Sequence, residues 1–159
     1  PGRVGVFRAN SLFSREAGGD RLLTVTSGKV AYVAETRWVA PATTLWDQAV
    51  LAAFDADPGR VRLISRGEPA SVAYQLRLDV RNFETRYDNG PKAAPSVVVR
   101  VRAAMTSSGS RGLVGERIFE RQVKADGNRV SSIVPAYDQA VAAVLKDIVA
   151  WTNELATPV

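Results

Sequence analysis

The chain of 159 residues contains no cysteine and no histidine. The lack of cysteine excludes disulfides and thiol chemistry, while the lack of histidine removes the usual general base and the commonest transition-metal ligand. Catalytic triads and most zinc sites are therefore excluded. The sequence also lacks any run of about 18 apolar residues, which is the length that indicates a membrane-spanning helix.

Carboxylates are the remaining groups for acid–base catalysis. The pairs Glu116/Glu120 and Asp55/Asp57 stand among other charges, which is typical of solvated ion pairs. Gly18-Gly19 and the serine-rich segment 107–110 do not match a phosphate-binding loop, which needs a glycine-rich turn between a strand and a helix. We predict no catalytic residue, no cofactor, no metal ligand and no enzyme activity; a carboxylate hydrolase is the weaker alternative.

The net charge of +5 raises the question of nucleic acid. Most cations are arginines that alternate with acids along predicted strands, for example Arg77 and Arg81 around Asp79. Cross-strand ion pairs on a solvated sheet face explain this pattern better than a phosphate-binding track. We therefore expect no nucleic-acid partner.

The apolar pattern predicts one α+β domain covering residues 1–159. Its strongest element is a C-terminal helix over Val130–Leu155, with apolar residues at spacings of three and four. Ser131 or Ser132 is expected to cap it. A shorter helix is predicted from about Thr44 to Phe54, with Thr44 and Asp47 as a capping box.

Period-two alternation predicts the strands, which we place near 4–7, 21–26, 29–37, 61–65, 72–81, 96–105 and 113–123. Ser27-Gly28 predicts a hairpin turn, and the change of apolar face at Asn82-Phe83 indicates a bulge or strong twist. Short connections favour an antiparallel meander for the last three strands. The expected fold is a mostly antiparallel sheet of about five to seven strands with two helices packed on one face.

The three tryptophans divide into two groups. Trp151 is predicted to pack in the core. Trp38 and Trp46 flank a corner containing Pro41, where they form either an aromatic patch for a partner or part of the packing.

The segment YVAETRWVAP, Tyr32 to Pro41, followed at once by a helix, resembles the auxiliary lipoproteins of ABC-type transporters, a family that includes the paraquat-inducible lipoprotein group. LRLDVRNF, Leu76 to Phe83, then Ser96 to Ala103, Leu113 to Phe119 and the helix ending at Trp151 are similar to the later half of that family. The resemblance covers about Leu22 to Trp151.

The resemblance implies a non-catalytic periplasmic lipoprotein anchored to the outer membrane. Its implied partner is a substrate-binding protein of the mammalian-cell-entry type, which works with an ABC transporter in envelope lipid or hydrophobic-compound transport. The family's lipidated cysteine is absent, and the sequence begins Pro1-Gly2-Arg3 without an initiator Met. We therefore expect an anchor segment N-terminal to Pro1.

The partner-binding candidates are aromatic and arginine side chains of the corner and the sheet: Tyr32, Arg37, Trp38, Trp46, Arg77, Arg100 and Arg102. The alternative function is direct carriage of a lipid or small hydrophobic ligand between sheet and helices, in a cavity lined by residues such as Val33, Leu78, Val99 and Ile148. The sequence leaves self-association into a homo-oligomer open.

Overall fold

The computed structural model describes residues 3–9, 12–19, 21–26, 29–38, 41–90 and 92–156, with the backbone alone for residues 21, 29, 30 and 34–37. Its elements, in chain order, are β1 (Val4–Arg8), β2 (Arg21–Thr26), β3 (Lys29–Arg37), α1 (Ala42–Ala56), β4 (Val61–Ile64), β5 (Tyr74–Arg86), β6 (Ser96–Ser107), β7 (Leu113–Lys124) and α2 (Val130–Leu155).

The described strands form one mixed sheet organised around β5. One edge of β5 pairs antiparallel with β6 along its whole length, and β6 pairs antiparallel with β7, so the predicted meander is confirmed. The other edge of β5 is shared: β1 pairs in parallel with its first residues and β2 in parallel with its last ones. β4 extends the sheet in parallel beyond β1, and β3 extends it antiparallel beyond β2.

The prediction of a mostly antiparallel sheet is wrong in this respect, because three of the pairings are parallel. Short connections predict neighbouring strands well, but the parallel pairs join strands that lie far apart in the chain. Between β1 and β2, Phe13 bridges to Val80 of β5. This described part of the connection thus lies along the same edge of β5 as the two early strands.

The predicted irregularity in β5 is confirmed. The register with β6 shifts between Val80 and Asn82, which leaves Arg81 unpaired. Leu76, Leu78 and Val80 are buried before the shift, and Phe83 and Thr85 are buried after it. The extra residue keeps the buried side chains on one face as the strand continues.

α2 begins and ends at the predicted residues and packs against β6 and β7. α1 packs against α2 and β4, and is longer than predicted. Both capping predictions are wrong: the residues that precede the helices are Pro41 and Arg129, neither of which caps through its side chain. Of the helices described, neither combines the length and the apolar character that a bilayer crossing requires.

One hydrophobic core joins the sheet to both helices. β6 contributes Val97, Val99, Val101, Ala103 and Met105, all fully buried. Trp151 is buried and its ring meets Phe119 of β7 edge-on at 5.7 Å, which confirms its predicted packing role. The other face of β5 and β6 carries a charged network that includes Asp79, which is buried and accepts the backbone N–H of Leu12 at 2.8 Å.

Candidate functional site

An apolar groove with a volume of about 800 Å³ lies between α1 and α2. The wall formed by α1 consists of Leu45, Trp46, Ala49, Ala52, Ala53 and Ala56. The wall formed by α2 consists of Val141, Ala142, Leu145, Val149 and Ala150. This volume falls in the range of about 300–1,000 Å³ that is typical of ligand sites in proteins.

The sequence of α1 explains why the helices leave this space. Trp46, Val50 and Phe54 recur every four residues and are buried in the core. The neighbouring stripe of α1 carries alanines, whose single methyl group cannot fill the gap to α2. The space between the two helices therefore remains open as a groove.

Aromatic side chains form one end of the groove. The ring of Tyr137 lies 5.1 Å from that of Trp38 and 4.9 Å from that of Phe83, and all three rings line the groove. The hydroxyl of Tyr137 lies 2.9 Å from the buried hydroxyl of Thr85. Burial raises the pKa of Tyr137, which keeps the phenol neutral.

Trp46 contributes a buried polar atom to the α1 wall. The residue is 2% exposed, and its indole Nε1 has no hydrogen-bond partner among the described residues. An unsatisfied buried donor costs about 1–3 kcal/mol. The indole N–H is therefore a donor that the described part of the chain leaves without an acceptor.

The opposite end of the groove is held by a hydrogen-bonded latch that joins Asp57, which follows α1, to Asn153 of α2. The side-chain amide of Asn153 donates to the carboxylate of Asp57 at 2.8 Å, and its oxygen accepts the backbone N–H of Val61 at 3.1 Å. The same carboxylate accepts the backbone N–H of Gly59 at 3.0 Å. Since Asp57 lines the groove, the latch sets the helix separation there.

Asp138 and Lys146 complete the charged lining of the groove. Both residues lie on α2 and are exposed. Neither forms an ion pair with another described residue. The rim therefore offers one unengaged negative and one unengaged positive group.

The structure brings two of the candidate aromatic residues together at this groove. Trp38 and Trp46 both line it, although Trp46 is buried and does not project from the corner. Tyr32 lies elsewhere, and its hydroxyl donates to the carbonyl of Glu16 at 3.0 Å. Arg37 ends β3, and its side chain lies outside the described part, as do residues 27 and 28 of the predicted hairpin turn.

The three candidate arginines of the sheet lie on the charged face, away from the groove. Arg77 donates to Asp79 at 3.0 Å, and Arg102 donates to Glu116 at 2.8 Å. The hydrogen bond from Arg102 to Glu116 raises the pKa of Arg102. Arg100 is exposed and has no ion-pair partner among the described residues.

The alanines of the groove were not among the predicted site residues. Their signal was present, because Ala49, Ala52, Ala53 and Ala56 recur at helical spacing, but the same pattern also describes ordinary helix packing. The cavity expected between sheet and helices is not lined as predicted: Leu78, Val99 and Ile148 are buried in the core and do not border the groove. Val33, which packs partly buried against that core, does not border it either.

The fold is found in several solved structures. The protein XCC0632 from Xanthomonas campestris matches with a TM-score of 0.85 and 22% identity over 97% of this chain and 87% of that one. An uncharacterised protein matches with a TM-score of 0.74 and 17% identity over 95% and 94% of the two chains. The hypothetical protein CT253 from Chlamydia trachomatis matches with a TM-score of 0.64 and 11% identity over 97% and 98%.

At these levels of identity the structures establish the fold alone. No protein with a curated description matches the chain. A family model does match, over residues 19–149, and it describes the ABC-type transport auxiliary lipoprotein component. This range includes α1, all but the last six residues of α2 and nearly the whole groove, and the chain therefore belongs to the ABC-type transport auxiliary lipoprotein component family.

Proposed function

We propose that this protein is a non-catalytic auxiliary subunit of an ABC-type transporter and binds the transporter's substrate-binding component of the mammalian-cell-entry type. In this proposal it acts in the periplasm, held at the outer membrane by a lipidated cysteine outside the present sequence, and assists the transport of lipids or hydrophobic compounds. Family membership supports the auxiliary role. The type of partner follows from the resemblance of the corner and strand motifs.

The observation that carries the proposal is the open apolar groove between α1 and α2. Ala52, Ala56, Ala142 and Ala150 are exposed although they line an apolar surface. A contiguous exposed apolar surface on a folded protein marks a site of interaction more often than isolated apolar residues do. A rigid aromatic cluster at one end and the latch at the other give this surface a fixed shape, as a docking site needs.

The chemistry of the groove supports a binding role. Its charged lining consists of Asp57, Asp138 and Lys146. Asp57 is engaged in the latch, and Asp138 and Lys146 are exposed to solvent. The charged groups of Asp138 and Lys146 therefore stand at a wet rim, where they can meet charged groups of a partner.

The direct test is binding of the purified protein to its co-encoded substrate-binding component. Ala52→Arg and Ala142→Arg place a long cation on either wall, and we expect each to weaken binding at least tenfold by filling the groove. Gln48→Arg and Gln139→Arg add the same group to exposed positions of the same helices outside the groove lining. These controls should bind within about twofold of the unmodified protein.

Circular dichroism melts would establish that all four variants are folded. Equal binding by groove and control variants would refute the groove as the docking site. No binding by the unmodified protein at low salt would refute the proposed partnership.

The arginines of the charged face are secondary candidates for the same interaction. Arg77 and Arg102 already pair with acids, which leaves Arg100 as the candidate arginine of the sheet that has no ion-pair partner among the described residues. A charge at the rim of an interface contributes little to affinity. Arg100→Ala should therefore weaken binding by less than about threefold and act mainly on the association rate.

A second candidate function is carriage of a hydrophobic ligand, which the volume of the groove favours. Trp38 and Trp46 both line the groove, so a bound brominated fatty acid should quench tryptophan fluorescence. Ala52→Arg should abolish the quenching and Gln48→Arg should leave it unchanged. Absence of saturable quenching in the unmodified protein would exclude this function for fatty acids.

A further inference from the structure

The shape of the groove distinguishes between a long and a compact occupant. Small ligands are usually enclosed, with about 70–90% of their surface buried. Here alanines of both walls remain exposed, so the groove is open to solvent along its sides. An open trough between two helices fits an elongated partner that brings its own polar face to the solvent.

The dimensions of the walls match those of a third helix. The lining of α1 runs from Leu45 to Ala56, and that of α2 from Tyr137 to Ala150. At 1.5 Å per residue these stretches are about 16 and 20 Å long, which corresponds to about three to four helical turns. Small residues at spacings of three and four let helix axes approach closely, because no bulky side chain separates the backbones.

The rim supplies charges that can orient such a helix. Asp138 and Lys146 are eight positions apart on α2, which places them about 12 Å apart along its axis. Neither is engaged in an ion pair with the described residues, while Asp57, the third charged lining residue, is held in the latch. A helix in the groove would meet one free anion and one free cation about two turns apart.

We propose that the groove receives an amphipathic α-helix of the transport partner, which docks its apolar face between α1 and α2. An acidic side chain of this helix lies opposite Lys146, and a basic side chain about eight residues away lies opposite Asp138. This inference rests on the proposed function and adds the kind of segment that binds and the charge pattern that it carries.

Charge reversal tests the inference with the co-encoded substrate-binding component as the probe. Lys146→Glu and Asp138→Lys should each weaken binding about threefold to tenfold at low salt, because an exposed attraction becomes a repulsion. The effect should shrink at high salt as screening increases. Gln139→Glu and Gln139→Lys are matched controls on an exposed position of α2 outside the lining, and should leave binding within about twofold.

A second measurement identifies the helix itself. Peptides of about 20 residues that tile the partner sequence would be added to the protein, and we expect one peptide with the described charge spacing to bind and to gain helical circular dichroism. This peptide should compete with the intact partner, and Ala52→Arg should abolish its binding.

The outcomes separate the two proposals. If the partner binds and Ala52→Arg abolishes binding, but charge reversal has no effect and no peptide becomes helical, the helix inference is overturned and the proposed function stands. If the unmodified protein does not bind the partner, both are overturned. If the groove binds a brominated fatty acid and Ala52→Arg leaves binding of the partner intact, the groove is a lipid site. This result would overturn the helix inference.

Discussion

Removal of the Asn153 side chain is expected to destabilise the protein strongly although the residue lies outside the core. Its amide nitrogen donates to Asp57 at 2.8 Å and to the carbonyl of Val149 at 2.9 Å, and its oxygen accepts the backbone N–H of Val61 at 3.1 Å. Two of these bonds connect α2 to Asp57 at the end of α1 and to Val61, the first residue of β4, and the third lies within α2. Asn153→Ala removes all of them together.

The expected magnitude follows from the partners that remain. A typical intramolecular hydrogen bond contributes about 0.5–1.5 kcal/mol, and a partly buried donor left without an acceptor adds a desolvation cost. The N–H of Val61 would be such a donor, since Val61 is 1% exposed. We expect the free energy of unfolding to fall by about 2–3 kcal/mol. For a chain of this size that corresponds to a fall in Tm of about 5–10 °C.

Urea unfolding followed by circular dichroism and tryptophan fluorescence measures this change. Glu154→Ala is the matched control, because Glu154 is the exposed neighbour on the same helix. It should change the free energy of unfolding by less than about 0.5 kcal/mol. If Asn153→Ala costs no more than this control, the latch does not hold the helices and the argument for a groove of fixed shape fails.

Asn153→Asp separates the donor from the acceptor role. The replacement keeps an oxygen for Val61 but sets a second carboxylate beside Asp57, where the structure has an N–H donor. We expect a loss of stability at neutral pH at least as large as that of the alanine variant. Stability equal to that of the unmodified protein would show that the bond to Asp57 is unimportant.

Three further predictions concern the core and its edges. Above about pH 10 the unmodified protein should lose stability, because burial raises the pKa of the Tyr137 phenol in the folded state while the unfolded chain releases the proton at its ordinary value. Tyr137→Phe should remove this loss. Urea unfolding at pH 8 and 10.5 tests the prediction. Gly5→Ala should lower the free energy of unfolding by more than about 2 kcal/mol, since a Cβ there would overlap the carbonyl oxygen of Ser71. Gly19→Ala is the control, because a Cβ there meets no described atom within 4 Å, and it should be nearly neutral in thermal melts. Asp79→Ala should cost about 1–3 kcal/mol by leaving a backbone N–H without its acceptor, as measured by urea unfolding.

The elements predicted from the sequence were those with strong local patterns. α2 matched to the residue because its apolar stripe is continuous from one end to the other. The meander of β5, β6 and β7 followed from alternation and short connections. The bulge after Val80 followed from a change in the parity of the apolar positions, which is also visible without a structure.

The parallel pairs and the helix caps depend on contacts that have no local signal. β1 pairs with β4 and β5, which lie far along the chain, so nothing in Val4–Arg8 itself identifies its partners. α2 begins at Val130, as predicted, so Ser131 and Ser132 lie within its first turn and not at the position before it. Tertiary packing thus overrode the capping preference of serine.

The location of the groove was predictable only in part. Trp38 and Trp46 were singled out together, and they do line one surface. The alanines of α1 that face α2 were not predicted as site residues, because alanine is the best helix former and its presence in a helix needs no further explanation. Arg77 pairs with Asp79 and Arg102 with Glu116 on the charged face of the sheet, which agrees with the ion pairs expected from the alternation of arginines and acids.

The width of the apolar surface on α2 connects the fold to the groove. At 100° per residue, four of the buried side chains of α2, those of Ile133, Tyr137, Val144 and Ile148, occupy an arc of about 60°. Val141, Leu145 and Val149 continue this arc by about a further 100° toward α1. A helix that only had to cover a sheet would not need the second arc, and α1 meets it with alanines that leave space. Leu145 and Val149 are themselves buried in the core, so the apolar surface left for another molecule is formed by the exposed alanines beside them, Ala142 and Ala150 of α2 with Ala52 and Ala56 of α1.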